Sequence, residues 1–366
     1  MPLPPLAQLP TDLVAACDYE RYARERMTEA TWAYVSGGVG DEHTLSANPA
    51  AWQQLPLHTR VLADLKEGHT RTVLFGQSMA HPILLAPVAY QTLLHPEGER
   101  ASAYAAGAMG AGFVASTLSG VPLEAIAAAT TGPLWFQLYF QPDRAVTADL
   151  VRRAEAAGYQ VLVVTVDVPV NGVRNRERRA GFSLPPAVQA ANLEPYPLPA
   201  PPVLSDWESP VFQHLMAQAP TWRDIEWLQA QTRLPIVLKG ITSVTDAREA
   251  ANRLLAGVVV SNHGGRSLDT LPATARLLPD IAEAVGTRMT VLVDGGIRRG
   301  TDVLKALALG ADAVMVGRPQ AHALATAGAL GVAHLLKLLH EELEMAMALT
   351  GCATVEAVGP QVLAHR

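Results

Sequence analysis

Short apolar runs recur along the chain, separated by stretches of a different period. The runs are HPILLAP around Ile83, AGFVAST around Phe113, PLWFQLYF around Phe136 and YQVLVVTVDVP around Val163. The second half continues with LPIVLKG around Val237, AGVVVSNHGG around Val259, MTVLVDGG around Leu292 and ADAVMVGRP around Val314. Between them, segments such as ADLVRRAEAAG and TDVLKALALGA place apolar residues every third or fourth position, the period of an amphipathic helix. Runs of Val, Ile and Leu without polar alternation suit strands covered on both faces, as in a parallel sheet. Eight such strand–helix units over about 240 residues match an α/β fold of the (β/α)8, or TIM, barrel type. An open doubly wound sheet is the competing architecture, and no G-x-G-x-x-G follows the first strand to support its dinucleotide-binding form.

Two segments stand outside the repeat. Residues 1–75, from YERYARERM through DEHTLSANPAAW, read as a helical N-terminal extension to a barrel over 76–350 within a single domain. Residues 180–220 are proline-rich (FSLPPAV, PYPLPAPPVLSD) and form a long loop after the fourth strand. Such a loop at the C-terminal end of a barrel strand is a lid, a binding element or a surface insertion.

Composition narrows the class. With 366 residues, 49% of them hydrophobic, the chain can bury a large core. Charged residues make up 17% and the net charge is −6, so no basic excess points to nucleic acid or an anionic membrane. Two cysteines, Cys17 and Cys352, make neither a disulfide framework nor a zinc site, and no bound metal is expected. The opening MPLPPLAQLPTDL lacks the charged and apolar regions of a signal peptide. No apolar stretch reaches the roughly 18 residues of a membrane span, and a cytoplasmic location is the expectation.

The strand ends carry the chemistry. They present Gln137 and Tyr139, Thr165 and Asp167, Lys239, His263 with Arg266, Asp294 with Gly295 and Gly296, and Gly317 with Arg318. In a barrel these ends share one rim, where active sites are built. A core strand has no use for an imidazole at its tip and a guanidinium three residues on, so the set reads as a site. The last two units indicate its ligand. VDGGIRRGTDV puts two glycines and Arg298 after the seventh strand, and VGRPQ puts Gly317 and Arg318 after the eighth. Glycines let backbone N–H groups approach an anion, and arginines clamp it, which suits a phosphorylated substrate or cofactor. Lys239 adds a fixed positive charge, or else a Schiff-base nucleophile.

These residues together resemble the FMN-dependent L-2-hydroxy acid oxidases and dehydrogenases, including glycolate, lactate and hydroxymandelate oxidases. The likeness runs from YVSGGVGDEHTLSAN through APVAYQTLLHPEGE, WFQLYFQPD and TVDVP to LKG, SNHGGRSLD, VDGGIRRGTDVLKALALGAD and VGRP. It implies that His263 is the active-site base and Asp167 its carboxylate partner. Arg266 would be the principal clamp on a substrate carboxylate, with Tyr34 and Arg174 beside it and Tyr139 near the substrate oxygens. Lys239 would sit beside the flavin N1–C2 carbonyl, which displaces the Schiff-base reading. For FMN itself, the resemblance implies Ala86, Pro87, Val88 and Ala89 along the ring. It adds Ser116, Gln137, Thr165 and Ser261 as polar contacts, and Asp294, Gly295, Gly296, Arg298, Gly317 and Arg318 at the ribityl and phosphate end.

Departures bear on the substrate. Leu118 stands where glycolate oxidases carry a tryptophan, and Ala89 is small, so a side chain larger than that of glycolate is expected. The run APVAYQ is closest to the hydroxymandelate oxidases, which implies (S)-mandelate or 4-hydroxymandelate first and lactate or a medium-chain acid second. The loop after strand four has neither the apolar nor the basic insertion of the membrane-bound members. Oxygen is therefore the expected acceptor, with release of hydrogen peroxide, and a soluble dehydrogenase with another acceptor is the alternative. An FMN-dependent isomerase on the same scaffold is disfavoured, because its substrate has no carboxylate for Arg266. The resemblance also implies a homotetramer.

Overall fold

The computed structural model describes residues 2–197, 204–205 and 207–364, so part of the proline-rich PYPLPAPPVLSD run lies outside the described residues. The first two strands are not barrel strands. β1 (Thr72–Leu74) and β2 (Gln77–Met79) pair antiparallel through a two-residue turn at Phe75 and Gly76. Both turn residues have positive φ, 49° and 77°, the conformation that matches the twist of a tight hairpin.

All eight apolar runs become parallel strands in chain order. They are β3 (Ile83–Leu85), β4 (Gly112–Ser116), β5 (Leu134–Leu138), β6 (Leu162–Thr165), β7 (Ile236–Ile241), β8 (Gly257–Val260), β9 (Thr290–Val293) and β10 (Ala313–Val316). Each pairs with the next, and β10 returns to β3 to close the barrel. The fold is the (β/α)8 barrel. Strand residues alternate between two apolar environments, which explains why no polar alternation was visible. Leu84, Val114, Trp135, Val163, Val237, Val259, Leu292 and Met315 fill the interior, while neighbours such as Ile83, Phe113, Phe136 and Val258 pack under the outer helices. Full burial of one such side chain contributes about 1.5–3 kcal/mol.

The hairpin joins the interior cluster. Leu74, Phe75 and Met79 pack on it, with the Phe75 ring edge-on to Trp135 at 5.4 Å and Trp135 Nε1 donating to Gln77 Oε1 at 3.0 Å. It stoppers the barrel at the end where the strands begin. The extension over 1–75 is thus helical only in part. Its helices are Asp18–Arg26, Glu29–Ser36 and His43–Gln53, and it ends in the first strand of this hairpin. Hairpin strands of three residues, one of them Gln-Ser-Met, carry too little apolar signal to be read as strands.

The extension supports the opposite end. Asn48 and Asn262 exchange two amide hydrogen bonds of 2.9 Å, and Trp52 Nε1 donates to Gly295 O at 2.8 Å. Gly296 has φ 87°, and a Cβ there would lie 2.5 Å from the Asn48 backbone, so only glycine lets helix and loop meet.

The last helix, Arg318–Thr350, corrects one expectation: it contains a window apolar and long enough to cross a membrane. That window is 67% buried within the fold, where it covers the barrel. The helix also breaks at Ala327 and Gly328 (φ 57°), where a Cβ would meet the His95 ring at 2.8 Å. Among the described residues no group of His, Cys, Asp or Glu is arranged to hold a metal ion. Of the two cysteines, Cys17 is exposed and Cys352 buried, and both are free.

Candidate active site

The rim opposite the hairpin encloses a cavity of about 670 Å³. Of the residues anticipated from the strand ends and the resemblance, all line it except Asp167 and Ser261, which stand directly behind its wall.

His263 follows β8 with φ 56°, a left-handed conformation that costs a residue with a side chain free energy and marks positions held for function. Its Nδ1 lies 3.0 Å from Asp167 Oδ1. A carboxylate at Nδ1 fixes the proton there and leaves Nε2 as the acceptor. Burial alone would push Asp167 up. The adjacent His263 and Lys239 more than reverse this and hold it below the usual carboxylate range. Gly240 makes the approach possible: with φ 107°, any Cβ on it would sit 2.4 Å from that of Asp167.

Lys239 is fully enclosed on β7. Its Nζ is 2.9 Å from Asp294 Oδ2 and donates to Ser261 Oγ at 3.0 Å. Burial would lower Lys239, but Asp294 and Asp167 overcome it and raise the ammonium above its ordinary value, so it stays charged. Ser261 also accepts from the His263 N–H at 3.1 Å, tying the lysine to the histidine loop. Its place is therefore behind Lys239 and not on the cavity surface.

Arg266 is anchored at one end. Nη1 donates to the carbonyls of Tyr34 (2.7 Å) and Gly37 (2.8 Å), and Nη2 to Glu177 Oε1 (3.2 Å). Of its five N–H groups, Nε–H and one Nη2–H keep no partner among the described residues, which leaves donors for a carboxylate. The guanidinium lies over the Tyr34 ring, 5.3 Å from its centroid, and that ring stacks on Phe182 at 4.4 Å. Burial pushes the Tyr34 and Tyr139 phenols up, so both remain hydrogen-bond donors at neutral pH.

Beside this clamp, on the same Gly37 carbonyl, begins a buried cationic corner. Arg298 and Arg318 have no carboxylate in ion-pair contact among the described residues, and Arg318 donates only to the carbonyls of Gly264 and Gly37, each at 2.8 Å. Burial, with Arg266 and Arg298 nearby, pulls Arg318 down to about 9. Charges so placed call for an anion. Elsewhere on the cavity wall, Gln137 Oε1 accepts from Ser116 Oγ (3.1 Å), while its buried Nε2 has no partner among the described residues. Asp294 Oδ1 is also buried without one.

Sequence reasoning missed several participants. Glu177 lies in the run NRERR, which reads as a solvated charged face. Tyr90, anticipated only as part of the run APVAYQ and not as a site residue, lines the cavity with φ 53°, and its N–H donates to Leu118 O at 3.0 Å. Leu193, Leu215, Met216 and Pro220 from the segment after the fourth barrel strand complete one wall. The expected loop is in part helical, with a π-helical turn over Pro210–Leu215 running into Met216–Gln218, and turns this short give periodicity no signal.

The comparisons with known proteins agree with this geometry. The family described as FMN-dependent dehydrogenase matches residues 23–365. The chain is 50% identical to an L-lactate oxidase of Alicycliphilus denitrificans over 97% of both chains. It is 48% identical to a 4-hydroxymandelate oxidase of Amycolatopsis orientalis, covering 94% of this chain and 96% of the relative. A crystal structure of a mandelate oxidase with (S)-2-phenylpropionate superposes with a TM-score of 0.87 at 46% identity, covering 96% of this chain and 98% of that one. With its rim of His263, Asp167, Lys239 and Arg266 on a closed barrel, the chain belongs to the family of FMN-dependent dehydrogenases.

Proposed function

We propose that the chain oxidises an L-2-hydroxy acid with an aryl side chain, (S)-mandelate or 4-hydroxymandelate, to the 2-oxo acid. Oxygen takes the electrons and leaves as hydrogen peroxide. The observation that carries the reading is the meeting of two groups at one cavity: the His263–Asp167 pair and the spare N–H donors of Arg266.

FMN, the family's cofactor, fits the remainder. Arg298 and Arg318 would hold its phosphate with the backbone of Gly295, Gly296 and Gly317, all on the cavity surface. The unpartnered Gln137 Nε2 would donate to a ring carbonyl, and Asp294 Oδ1 would accept from a ribityl hydroxyl. Bound there, FMN supplies a two-electron acceptor.

The chain's own groups do the rest. Arg266, with Arg174 and Tyr34, grips the carboxylate and so fixes which face of the α-carbon turns inward. His263 Nε2 takes a proton from the substrate, and Asp167 stabilises the resulting imidazolium. Lys239, held charged by Asp294 and Asp167, would place its ammonium beside the bound cofactor and favour its reduced, anionic form. The balance is 2-hydroxy acid plus O2 to 2-oxo acid plus H2O2.

Replacing Arg318 by Met removes one charge from the anion corner. FMN affinity is expected to fall roughly ten- to hundredfold, the worth of a charge-assisted hydrogen bond. Riboflavin, which lacks the phosphate, is expected to bind as before, and equilibrium fluorescence titration of both reads the difference.

The aryl preference is supported by Ala89 and Leu118, both on the cavity surface, and by the apolar wall from the long loop. Leu118→Trp would fill that space at about 1–3 kcal/mol of overpacking. Its kcat/KM is expected to drop roughly ten- to hundredfold for mandelate and to change little for L-lactate. Assembly as a homotetramer and a cytoplasmic location belong to the same proposal, supported by family resemblance and low cysteine content; light scattering reads the first.

Anaerobic mixing with (S)-mandelate and then L-lactate tests the whole reading. Bleaching by mandelate, with colour and peroxide returning in air, is the expected result. Bleaching by lactate alone would overturn the aryl preference. No bleaching by either, in protein that dithionite reduces, would overturn the hydroxy acid reading.

A further inference from the structure

Glu177 is a carboxylate that the proposed reaction does not use, yet it stands at the substrate's own anchor. Its Oε1 lies 3.2 Å from Arg266 Nη2 and 3.4 Å from Arg174 Nη1. The side chains of Glu177, Arg266 and Arg174 are only 12, 15 and 21% exposed, so water screens the trio weakly. Arg174 is held loosely, its other contact being Asn171 Oδ1, also at 3.4 Å. The two guanidiniums both line the cavity and both face this one acid.

We infer that Glu177 is a built-in counter-carboxylate that limits how tightly the clamp holds substrate and product. This role rests on the reading of the cavity as a hydroxy acid site: Glu177 competes with the incoming acid for Arg174 and Arg266. With Glu177 the trio carries a net charge of +1, and an incoming carboxylate brings that to zero. Without it, two positive charges would meet one negative ligand, and the 2-oxo acid would leave slowly. Glu177 is a positioning residue, since it touches the clamp and acts on the substrate through it.

The sign of one change separates this role from simple bracing. A brace, once removed, loosens the arginines and weakens acid binding; a competing charge, once removed, strengthens it. Holoenzymes of the unaltered chain, Glu177→Gln and Glu177→Asp are titrated with benzoylformate and with its neutral methyl ester, following the flavin absorbance at equilibrium. Glu177→Gln is expected to bind benzoylformate roughly tenfold tighter, as for loss of one like charge at a partly buried site, with the ester unchanged. Its KM for mandelate is expected to fall while kcat does not rise. Glu177→Asp, with the charge drawn back by one methylene, is expected to fall between the two. Equal or weaker acid binding by Glu177→Gln, or equal tightening for the ester, overturns the inference. If Glu177→Gln fails to hold its flavin, Glu177→Asp decides alone: tighter acid binding supports the role, and unchanged or weaker binding overturns it. If the unaltered holoenzyme binds neither compound, the cavity reading itself falls, and this inference with it.

Discussion

A His263→Asn protein is expected to fold, hold FMN and bind benzoylformate as the unaltered chain does, yet reduce its flavin roughly 10²–10⁴-fold more slowly with mandelate, the worth of a positioned general base. Asparagine is the informative choice. The backbone at position 263 is left-handed, with φ 56°. Asparagine enters that region more readily than most residues, so the replacement removes the base without a new conformational cost. Its amide can still donate to Asp167, whose buried carboxylate already has one oxygen without a partner. The loss is then chemical and not structural. Stopped-flow absorbance under nitrogen measures the reduction rate, and a rate within tenfold of the unaltered enzyme would remove His263 from the mechanism.

Arg266→Lys is expected to raise KM for mandelate roughly 10²- to 10³-fold, in line with about 2–5 kcal/mol for truncating one partner of a buried charge pair. The charge is kept, so the effect isolates geometry. The guanidinium uses Nη1 to grip the Tyr34 and Gly37 carbonyls and still offers spare N–H donors to the cavity. A lysine has one nitrogen for both tasks and cannot present two parallel donors to a carboxylate. The Tyr34 carbonyl would also lose a donor, at a cost of about 1–3 kcal/mol for a buried group left unsatisfied, while that of Gly37 keeps Arg318. A lower Tm should therefore accompany the kinetic defect. Steady-state assays with mandelate and its methyl ester separate the two: the ester, lacking the anion, should show a much smaller change. A KM within fivefold of the original would show that Arg266 is not the clamp.

The barrel was legible because its strands are covered on both sides. Val258, Val259 and Val260 are all fully buried, so no polar residue interrupts the run, and the same holds for Ile83–Leu85. The site was legible where it grows from those strand tips: His263, Lys239, Asp294 and Arg318 each follow or end an apolar run. What stayed hidden was set by partners far apart in sequence. Gly240 reads as a simple turn residue until Asp167 is seen against it. Asn48 and Trp52 look like ordinary members of an extension helix, although they brace Asn262 and Gly295. Glu177 looks like a surface charge among arginines, since nothing local says that Arg266 will fold back on it. The hairpin was lost for a different reason: strands this short have too few residues to establish a period.

That hairpin decides how traffic moves through the enzyme. With Phe75 wedged against Trp135, the barrel is a blind-ended cup. In the proposed reaction, fuel and oxidant then meet at the same rim, and whatever waits there sets the queue. On that proposal, a keto acid that lingers on the arginines holds back oxygen as well as the next substrate. Quick departure is then as much a part of turnover as the chemistry at the bottom of the cup.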